Sequence, residues 1–171
     1  MQVYKAEKGE QIKKYHVALF VKKASGTYTQ ISKSTDNTIT MNAETVDRDF
    51  IVDKSPTTLV DRYKPSLSEP ITLFKGDEDY EFFWDLFYNQ KAGSDALGKV
   101  LVVFMNEDAT DGGTNTVFKA WETDCAFICD NLNPVESTLT FNINMNGTTT
   151  MGTVSIDTTA DPATVTFTAA A

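Results

Sequence analysis

Residues 136–146 read ESTLTFNINMN, and this alternating stretch decides the fold class. Successive side chains of a β-strand point to opposite faces, so one face of this strand is apolar and the other is polar and nearly uncharged. The apolar face carries Leu139, Phe141, Ile143 and Met145, and the polar face carries Thr138, Thr140, Asn142, Asn144 and Asn146. Such a strand packs one face on a core and leaves the other uncovered, which is typical of antiparallel sheets.

Two further stretches predict strands that are covered on both faces. Residues 100–105 read VLVVFM, a continuous apolar run that is typical of a central strand. Residues 15–23 carry apolar side chains on both alternating faces for most of their length. Further strands are predicted at 27–32, 38–41, 66–74, 151–156 and 164–168, and a long strand is predicted at 117–128. The sequence therefore predicts a mainly β protein, an antiparallel β-sandwich or partly closed barrel formed by a single domain at 15–171 after an N-terminal arm at 1–14.

The one predicted helix, at residues 77–90, is apolar nearly all the way round. Asp77 is a favourable N-cap, and acidic residues fill the first turn, where the helix dipole favours them. Only a narrow stripe stays polar, formed by Glu78, Glu81, Asp85 and Asn89. A single sheet cannot cover so wide an apolar surface, so either the domain wraps the helix or a neighbouring subunit covers its second side. The neighbour is favoured, which makes Phe82, Trp84 and Tyr88 candidate inter-subunit contacts.

Residues 42–66 form a long charged connection, which compact domains rarely contain unless it is functional or ordered by a partner. The alternation of Phe50 and Val52 allows a small hairpin that projects from the body. The stretch predicts inter-subunit contacts at Asp47, Arg48, Phe50, Val52, Arg62 and Tyr63. The alternative is a surface loop without any partner.

The charge distribution disfavours nucleic-acid binding, and the hydropathy disfavours a membrane. The 171-residue chain has a formal net charge of −9, and all 15 basic residues lie at or before Lys119. A groove that neutralises phosphates needs clustered positive charge. The longest apolar run, 100–105, is far shorter than the roughly 20 residues of a membrane helix, and the first residues lack the apolar core of a secretory signal. We therefore expect a soluble chain made in a cytoplasm, with no membrane partner.

Few residues could support catalysis or hold a cofactor. The chain contains one histidine, His16, and it lacks the sequence motifs of phosphate-binding loops and nucleophile elbows. Paired carboxylates for glycoside hydrolysis stay open, because acids are plentiful and the distances between them are not visible in the sequence. We expect that the protein is not an enzyme and uses no cofactor.

Two further features could bind a metal ion or form a disulfide. Cys125 and Cys129 would lie ~13 Å apart on one side of an extended strand, which is too far for a disulfide. Both cysteines are therefore expected to be buried as small apolar residues. The acidic loop at 106–115 is either a hairpin tip or a cation site, and it lacks the ligand spacing of an EF-hand.

The order of these signals resembles the major tail tube protein of long-tailed bacteriophages. The segments that carry the resemblance are DRDFIVD at 47–53, DRYKPSL at 61–67, GDEDYEFF at 76–83, VLVVF at 100–104, the residues Asp130, Leu132 and Asn133, and STLTFNIN at 137–144 followed by Gly147. The likeness rests on the order of these segments, and it extends from about residue 14 to residue 156.

The resemblance implies a subunit of a hollow tube. Its fold would be a β-sandwich or partly closed barrel with one flanking helix, and six subunits would form each ring of a stack through which genomic DNA leaves the capsid. Strands from neighbouring subunits would line a negatively charged lumen, while the long loop and the terminal arms would contact adjacent rings. We expect the polar residues Thr138, Thr140, Asn142 and Asn144 to face this lumen. No catalytic residue or cofactor is implied.

The resemblance also implies partners and a location. The chain would bind copies of itself and other tail proteins, such as the tape measure, terminator and baseplate components, while DNA passes without specific binding. It would reside in the virion tail after assembly in the bacterial host cytoplasm. One alternative is the inner tube of a contractile injection system, which shares the fold. Another is a carbohydrate-binding β-sandwich, which would need exposed aromatic side chains on a flat sheet face. Seven aromatic residues fall between Phe74 and Tyr88, however, where the helix and the surface beneath it need them for packing.

Overall fold

The computed structural model describes residues 3–23, 26–52, 54–108, 117–157 and 164–170, and it confirms the mainly β fold with one flanking helix in these ranges. The strands are β1 (Val17–Lys23), β2 (Thr29–Gln30), β3 (Ile39–Thr40), β4 (Ala43–Arg48), β5 (Thr57–Tyr63), β6 (Ser66–Thr72), β7 (Leu97–Asp108), β8 (Val117–Asn133), β9 (Thr138–Asp157) and β10 (Thr164–Ala169). The helix α1 spans Glu78–Tyr88, and short 3₁₀ turns span Lys14–His16 and Gly93–Ala96. Most of the acidic loop predicted at 106–115 lies outside the described residues.

The main sheet is antiparallel and curls into a partly closed barrel. Its strand order is β2-β1-β7-β8-β9-β6-β3, and β10 pairs with β9. The segment 29–40 connects the two ends of this order. The Ile31 N–H donates to the Leu19 carbonyl in β1 at 2.9 Å, and the Thr72 N–H in β6 donates to the Lys33 carbonyl at 3.0 Å. One continuous piece of chain therefore links β1 to β6.

Two apolar cores lie on opposite faces of the sheet. Alternate residues of β1 and β7 point into each of them: Leu19 and Val102 belong to the first core, and Phe20 and Leu101 belong to the second. Residues 100–103 are buried on both faces, which confirms the prediction of a central strand. The N-terminal arm runs largely exposed along the surface as far as the first 3₁₀ turn, and its Val3 packs against the second core.

The helix α1 covers the first core. Asp77 occupies the N-cap as predicted, but the helix ends at Tyr88, two residues before the predicted end. Beyond it, Gln90 has a left-handed φ of 47°, which stops the helical repeat. Phe83 and Leu86 point inward and are buried in the first core. Among the described residues, no helix is long and apolar enough to cross a membrane.

The alternating stretch at 136–146 belongs to β9, a single strand of 20 residues where the sequence predicts two. The expected break is present as irregular pairing: Glu122 opposes Thr150 and Asp124 opposes Asn146, so residues 147–149 lie opposite Thr123 alone. Gly147 adopts a φ of 81°, which glycine reaches without strain. Such a bulge bends a strand, and β9 accordingly borders β6 along its first half and β10 along its second.

Candidate functional site

The predicted loop at 42–66 is a β-hairpin, formed by β4 and β5 as a two-stranded sheet separate from the main one. Its base is fixed to the body at Asn42, whose side-chain amide donates to the Lys64 carbonyl at 3.0 Å and to the Ser66 hydroxyl at 2.9 Å. Glu44 near the base accepts hydrogen bonds from Lys64 and Arg62, and these hold the pKa of its carboxyl below the ordinary value. The base is therefore well ordered by polar contacts.

The tip of this hairpin is apolar and uncovered. Phe50 is half-exposed, and Ile51 and Val52 are almost fully exposed. The small hairpin that the alternation of Phe50 and Val52 allowed is therefore present, and both residues lie in the connection between its strands, β4 and β5. We call the segment 50–52 the hairpin tip.

All six contact residues predicted in the loop lie on this hairpin. Asp47 accepts a hydrogen bond from the Thr58 hydroxyl across the two strands at 2.7 Å, and Arg48 lies opposite Thr57 at the ends of the strands. Arg62 contacts Glu44, and Tyr63 is half-exposed opposite Ala43. Every side chain of β5 is exposed, so the hairpin presents both of its faces to solvent.

The three predicted contacts on α1 separate into two groups. Phe82 packs edge-on against Phe127 of β8, with ring centroids 5.3 Å apart, so it extends the chain's own first core. Trp84 lies on the outer face, stacked between Tyr80 at 5.6 Å and Tyr88 at 6.3 Å. The residues from Phe82 to Tyr88 are therefore only partly covered by the sheet. We call Tyr80, Trp84 and Tyr88 the aromatic stripe.

A groove of about 790 Å³ separates the end of α1 from β8. Apolar side chains form most of its lining, among them Leu86, Phe87 and Phe127. Cys129 lines it too and is exposed, so the expectation that both cysteines are buried is wrong. Cys125 and Cys129 do face the same side, opposite Met145 and Phe141, but α1 ends before it covers Cys129. We call this the helix groove.

The predicted lumen residues form one continuous polar face with their neighbours on β6 and β8. Leu139, Phe141, Ile143 and Met145 are buried, which confirms the alternation. Thr138, Thr140, Asn142 and Asn144 point the other way, opposite Thr72, Pro70, Ser68 and Ser66 of β6 and opposite Asn133, Asn131, Ile128 and Ala126 of β8. All of these partners are uncharged. We call this surface the polar face.

One structural feature of the helix escaped the sequence analysis. Asp79 is almost fully buried, and its Oδ2 accepts hydrogen bonds from the Ser32 N–H at 2.9 Å, the Ser32 hydroxyl at 3.0 Å and the Lys33 N–H at 3.1 Å. The sequence places Asp79 among the first-turn acids, where helix starts commonly carry a carboxylate. The carboxylate fixes α1 to the segment that closes the barrel, and its distant partner leaves no local sequence signal.

The described residues hold no group of three or more His, Cys, Asp or Glu side chains that could bind a metal ion. No protein-family model matches the chain, and no curated protein sequence matches it.

Proposed function

We propose that this chain is a structural subunit that assembles with copies of itself into stacked rings, forming a tube of the kind built by the major tail tube proteins of long-tailed bacteriophages. The observation that carries the proposal is the hairpin β4–β5, which has an ordered base and an uncovered apolar tip. The sequence resemblance and the β fold with one flanking helix support the same proposal.

Contacts with the rest of its own chain bury little of the hairpin's apolar surface. A two-stranded hairpin alone is marginally stable in water, and this one exposes Val46, Leu59, Val60 and Tyr63 besides its tip. Exposed apolar clusters of this kind mark surfaces that bind another protein. A second copy that covers the hairpin would remove this apolar area from water.

The helix groove offers matching apolar surface elsewhere on the same chain. Contact between the hairpin tip of one copy and the helix groove of the next would be heterologous, because it joins two different patches. Heterologous contacts repeat into closed rings or into open stacks, depending on the rotation between copies. The outer edge of β10 adds backbone groups that a neighbouring strand could pair with, since β10 pairs only with β9 among the described strands.

The polar face fits the wall of a DNA conduit. Lys and Arg contacts to phosphate release counterions and hold DNA tightly. The polar face and its partners on β6 and β8 carry Thr, Asn, Ser, Pro, Ala and Ile, and no basic residue follows Lys119 in the sequence. Such a wall would let DNA slide.

The inner tube of a contractile injection system stays an alternative, because it shares the fold. A carbohydrate-binding module stays the other alternative, because the rings of Tyr80, Trp84 and Tyr88 lie nearly parallel along the outer side of α1.

Electron microscopy of the purified protein tests the proposal. At high concentration we expect negative-stain images to show tubes or stacked rings. Deleting residues 47–60, or replacing Phe50, Ile51 and Val52 together by serine, should leave a folded monomer and abolish these assemblies.

Val135→Ser is the matched control, because Val135 is an almost fully exposed apolar residue in a turn far from the hairpin in sequence. It should assemble like the parent chain. Tubes of normal length from the hairpin variants would show that the hairpin is not the assembly contact.

The place of the polar face is tested separately in assembled tubes. Asn144→Cys, in a Cys129→Ser background that removes the exposed native thiol, is labelled with maleimide gold. Gold along the tube axis is the expected result, and gold on the outer surface would overturn the lumen assignment.

A further inference from the structure

A carboxyl group points into the barrel from a position where its strand neighbours are apolar. Glu69 lies on the inward face of β6 between Leu67 and Ile71, opposite Phe141 of β9, and it is completely buried. None of the residues that the structure describes donates a hydrogen bond to either carboxylate oxygen. Burying a charged or polar group without such a donor is strongly unfavourable.

Glu69 lines a cleft of about 700 Å³ between the N-terminal arm and the barrel. Asn37 lines the same cleft, and its side-chain Nδ2 donates to the Val17 carbonyl at 3.2 Å, while its buried Oδ1 has no donor in the described part of the chain. The Ser34 hydroxyl donates to the Asp36 carbonyl at 2.6 Å. Two residues that line this cleft therefore carry three buried acceptor oxygens whose hydrogen-bonding capacity the described residues leave unused.

We propose that this cleft binds a primary ammonium group, carried either by a lysine side chain of another protein or by a free alkylamine. An ammonium has three N–H donors and no acceptor, which matches the two oxygens of Glu69 and the Oδ1 of Asn37. The walls include Leu19 and Ile31, which suit the aliphatic chain that carries the ammonium. Calcium fits less well, because it takes 6–8 oxygen ligands.

The electrostatics of the cleft support an ammonium. Burial raises the pKa of Glu69 to about 7, and the negative charge of Asp36 adds to this. From the arm, Lys13 and Lys14 line the cleft, and Lys13 donates to Glu10 at 3.1 Å. A bound ammonium favours the ionised carboxylate. Binding near pH 7 therefore releases a proton and strengthens as the pH rises.

The test uses the unassembled full chain and n-pentylamine as the probe, so it stands apart from tube formation. At about pH 8 we expect saturable NMR shifts at the Asn37 side-chain amide and at the Ile31 and Leu19 methyls. 1-Pentanol, which has the same chain without the charge, should bind roughly tenfold to a hundredfold more weakly, as expected for losing hydrogen bonds to a charged group. Glu69→Gln should weaken pentylamine binding by a similar factor and keep the remaining spectrum unchanged.

Equal binding of pentanol and pentylamine, or unchanged pentylamine affinity in Glu69→Gln, would overturn the proposal, as would competition by calcium chloride for the same shifts. Calorimetry in two buffers of different ionisation enthalpy adds a second readout, since proton release near pH 7 must disappear in Glu69→Gln. Capped lysine amide and its Nε-acetylated form distinguish the sources. A lysine amide that binds at least as tightly as pentylamine identifies a protein side chain, and a weaker one identifies a free amine.

Discussion

The β1–β7 pair of the main sheet and the hairpin β4–β5 differ in whether their apolar side chains are buried. In β7, residues 100–103 are buried on both faces, whereas every side chain of β5 is exposed. Both are antiparallel pairs with regular registers over most of their length. Backbone pairing alone therefore does not distinguish them, and the difference lies in what covers their faces.

This comparison separates stability from assembly. The body buries two cores, and none of the residues in these cores lies in the hairpin. The hairpin buries little apolar surface within the chain. Its apolar side chains therefore remain available for contact with a partner. Substitutions in the body should change the free energy of unfolding, and substitutions in the hairpin should leave it nearly unchanged.

We expect the largest loss in the free energy of unfolding when an aromatic ring is removed from the first core. Phe83 of α1 is fully buried against β9, where the centroid of its ring lies 4.9 Å from that of Phe141. Phe83→Ala should lower the free energy of unfolding by about 3–5 kcal/mol, because it leaves a cavity in the first core. Phe50→Ala, the same substitution at the hairpin tip, should change it by less than about 0.5 kcal/mol. Urea denaturation measures both, and equal losses would contradict the separation of body and hairpin.

Glu69 should give the body an unusual pH dependence. Its pKa is about 7 in the folded chain against an ordinary value of 4.5, so between these values the folded state binds more protons than the unfolded state. Stability contributed by this group is therefore present below about pH 4.5 and falls as the pH rises through 7, by roughly 3 kcal/mol.

Glu69→Gln should remove this pH dependence and be the more stable chain at about pH 8. Denaturation curves of both chains between about pH 5 and pH 8 measure the difference. If the free energies of unfolding of the two chains differ by the same amount at every pH in this range, the surroundings of Glu69 do not hold its carboxyl in the protonated form.

The link between α1 and the barrel should have the next largest effect. Asp79→Ala removes a carboxylate that accepts three hydrogen bonds from Ser32 and Lys33. We expect a loss of about 2 kcal/mol, because hydrogen bonds to a charged group are stronger than neutral ones and two backbone donors lose their partner. Asp77→Ala is the control on the same helix, since its side chain makes no capping hydrogen bond. A similar loss in both variants would assign the effect to the helix dipole.

Local patterns predicted most of the fold. The alternation at 136–146, the apolar run at 100–105 and the N-cap Asp77 each depend on residues close in sequence, and the structure confirms all three. The continuity of β9 through Gly147 was missed, because it depends on how β8 runs beside it. The closing segment 29–40 was missed for the same reason, since its hydrogen-bond partners lie on β1 and β6.

The candidate sites were predictable only in part. The predicted contact residues of the hairpin and Tyr88 are exposed, Trp84 is half-buried, and Phe82 packs on the chain's own Phe127. A helix that is apolar all round does not reveal which side its own sheet covers. The burial of Glu69 was not predictable either, because a single acidic residue in a strand is expected to face solvent until its neighbours in the fold are known.

The smallest expected effect comes from a matched pair of threonines. Thr123 is buried in β8, and its hydroxyl donates to the Thr149 hydroxyl at 3.0 Å, whereas the exposed Thr58 hydroxyl in the hairpin donates to Asp47 at 2.7 Å. Valine has nearly the same shape as threonine, so the substitution tests the hydroxyl. Thr123→Val should lower the free energy of unfolding by about 1 kcal/mol, because water cannot freely replace the lost partner.

In the hairpin, water reaches both partners, so Thr58→Val should change the free energy of unfolding by less than about 0.3 kcal/mol. Chemical denaturation of the two variants beside the parent chain measures the contrast. A larger loss from Thr58→Val than from Thr123→Val would mean that the hairpin is protected from water in the isolated chain. The hairpin would then belong to the folding unit of the body, and its exposed tip would no longer argue for a partner.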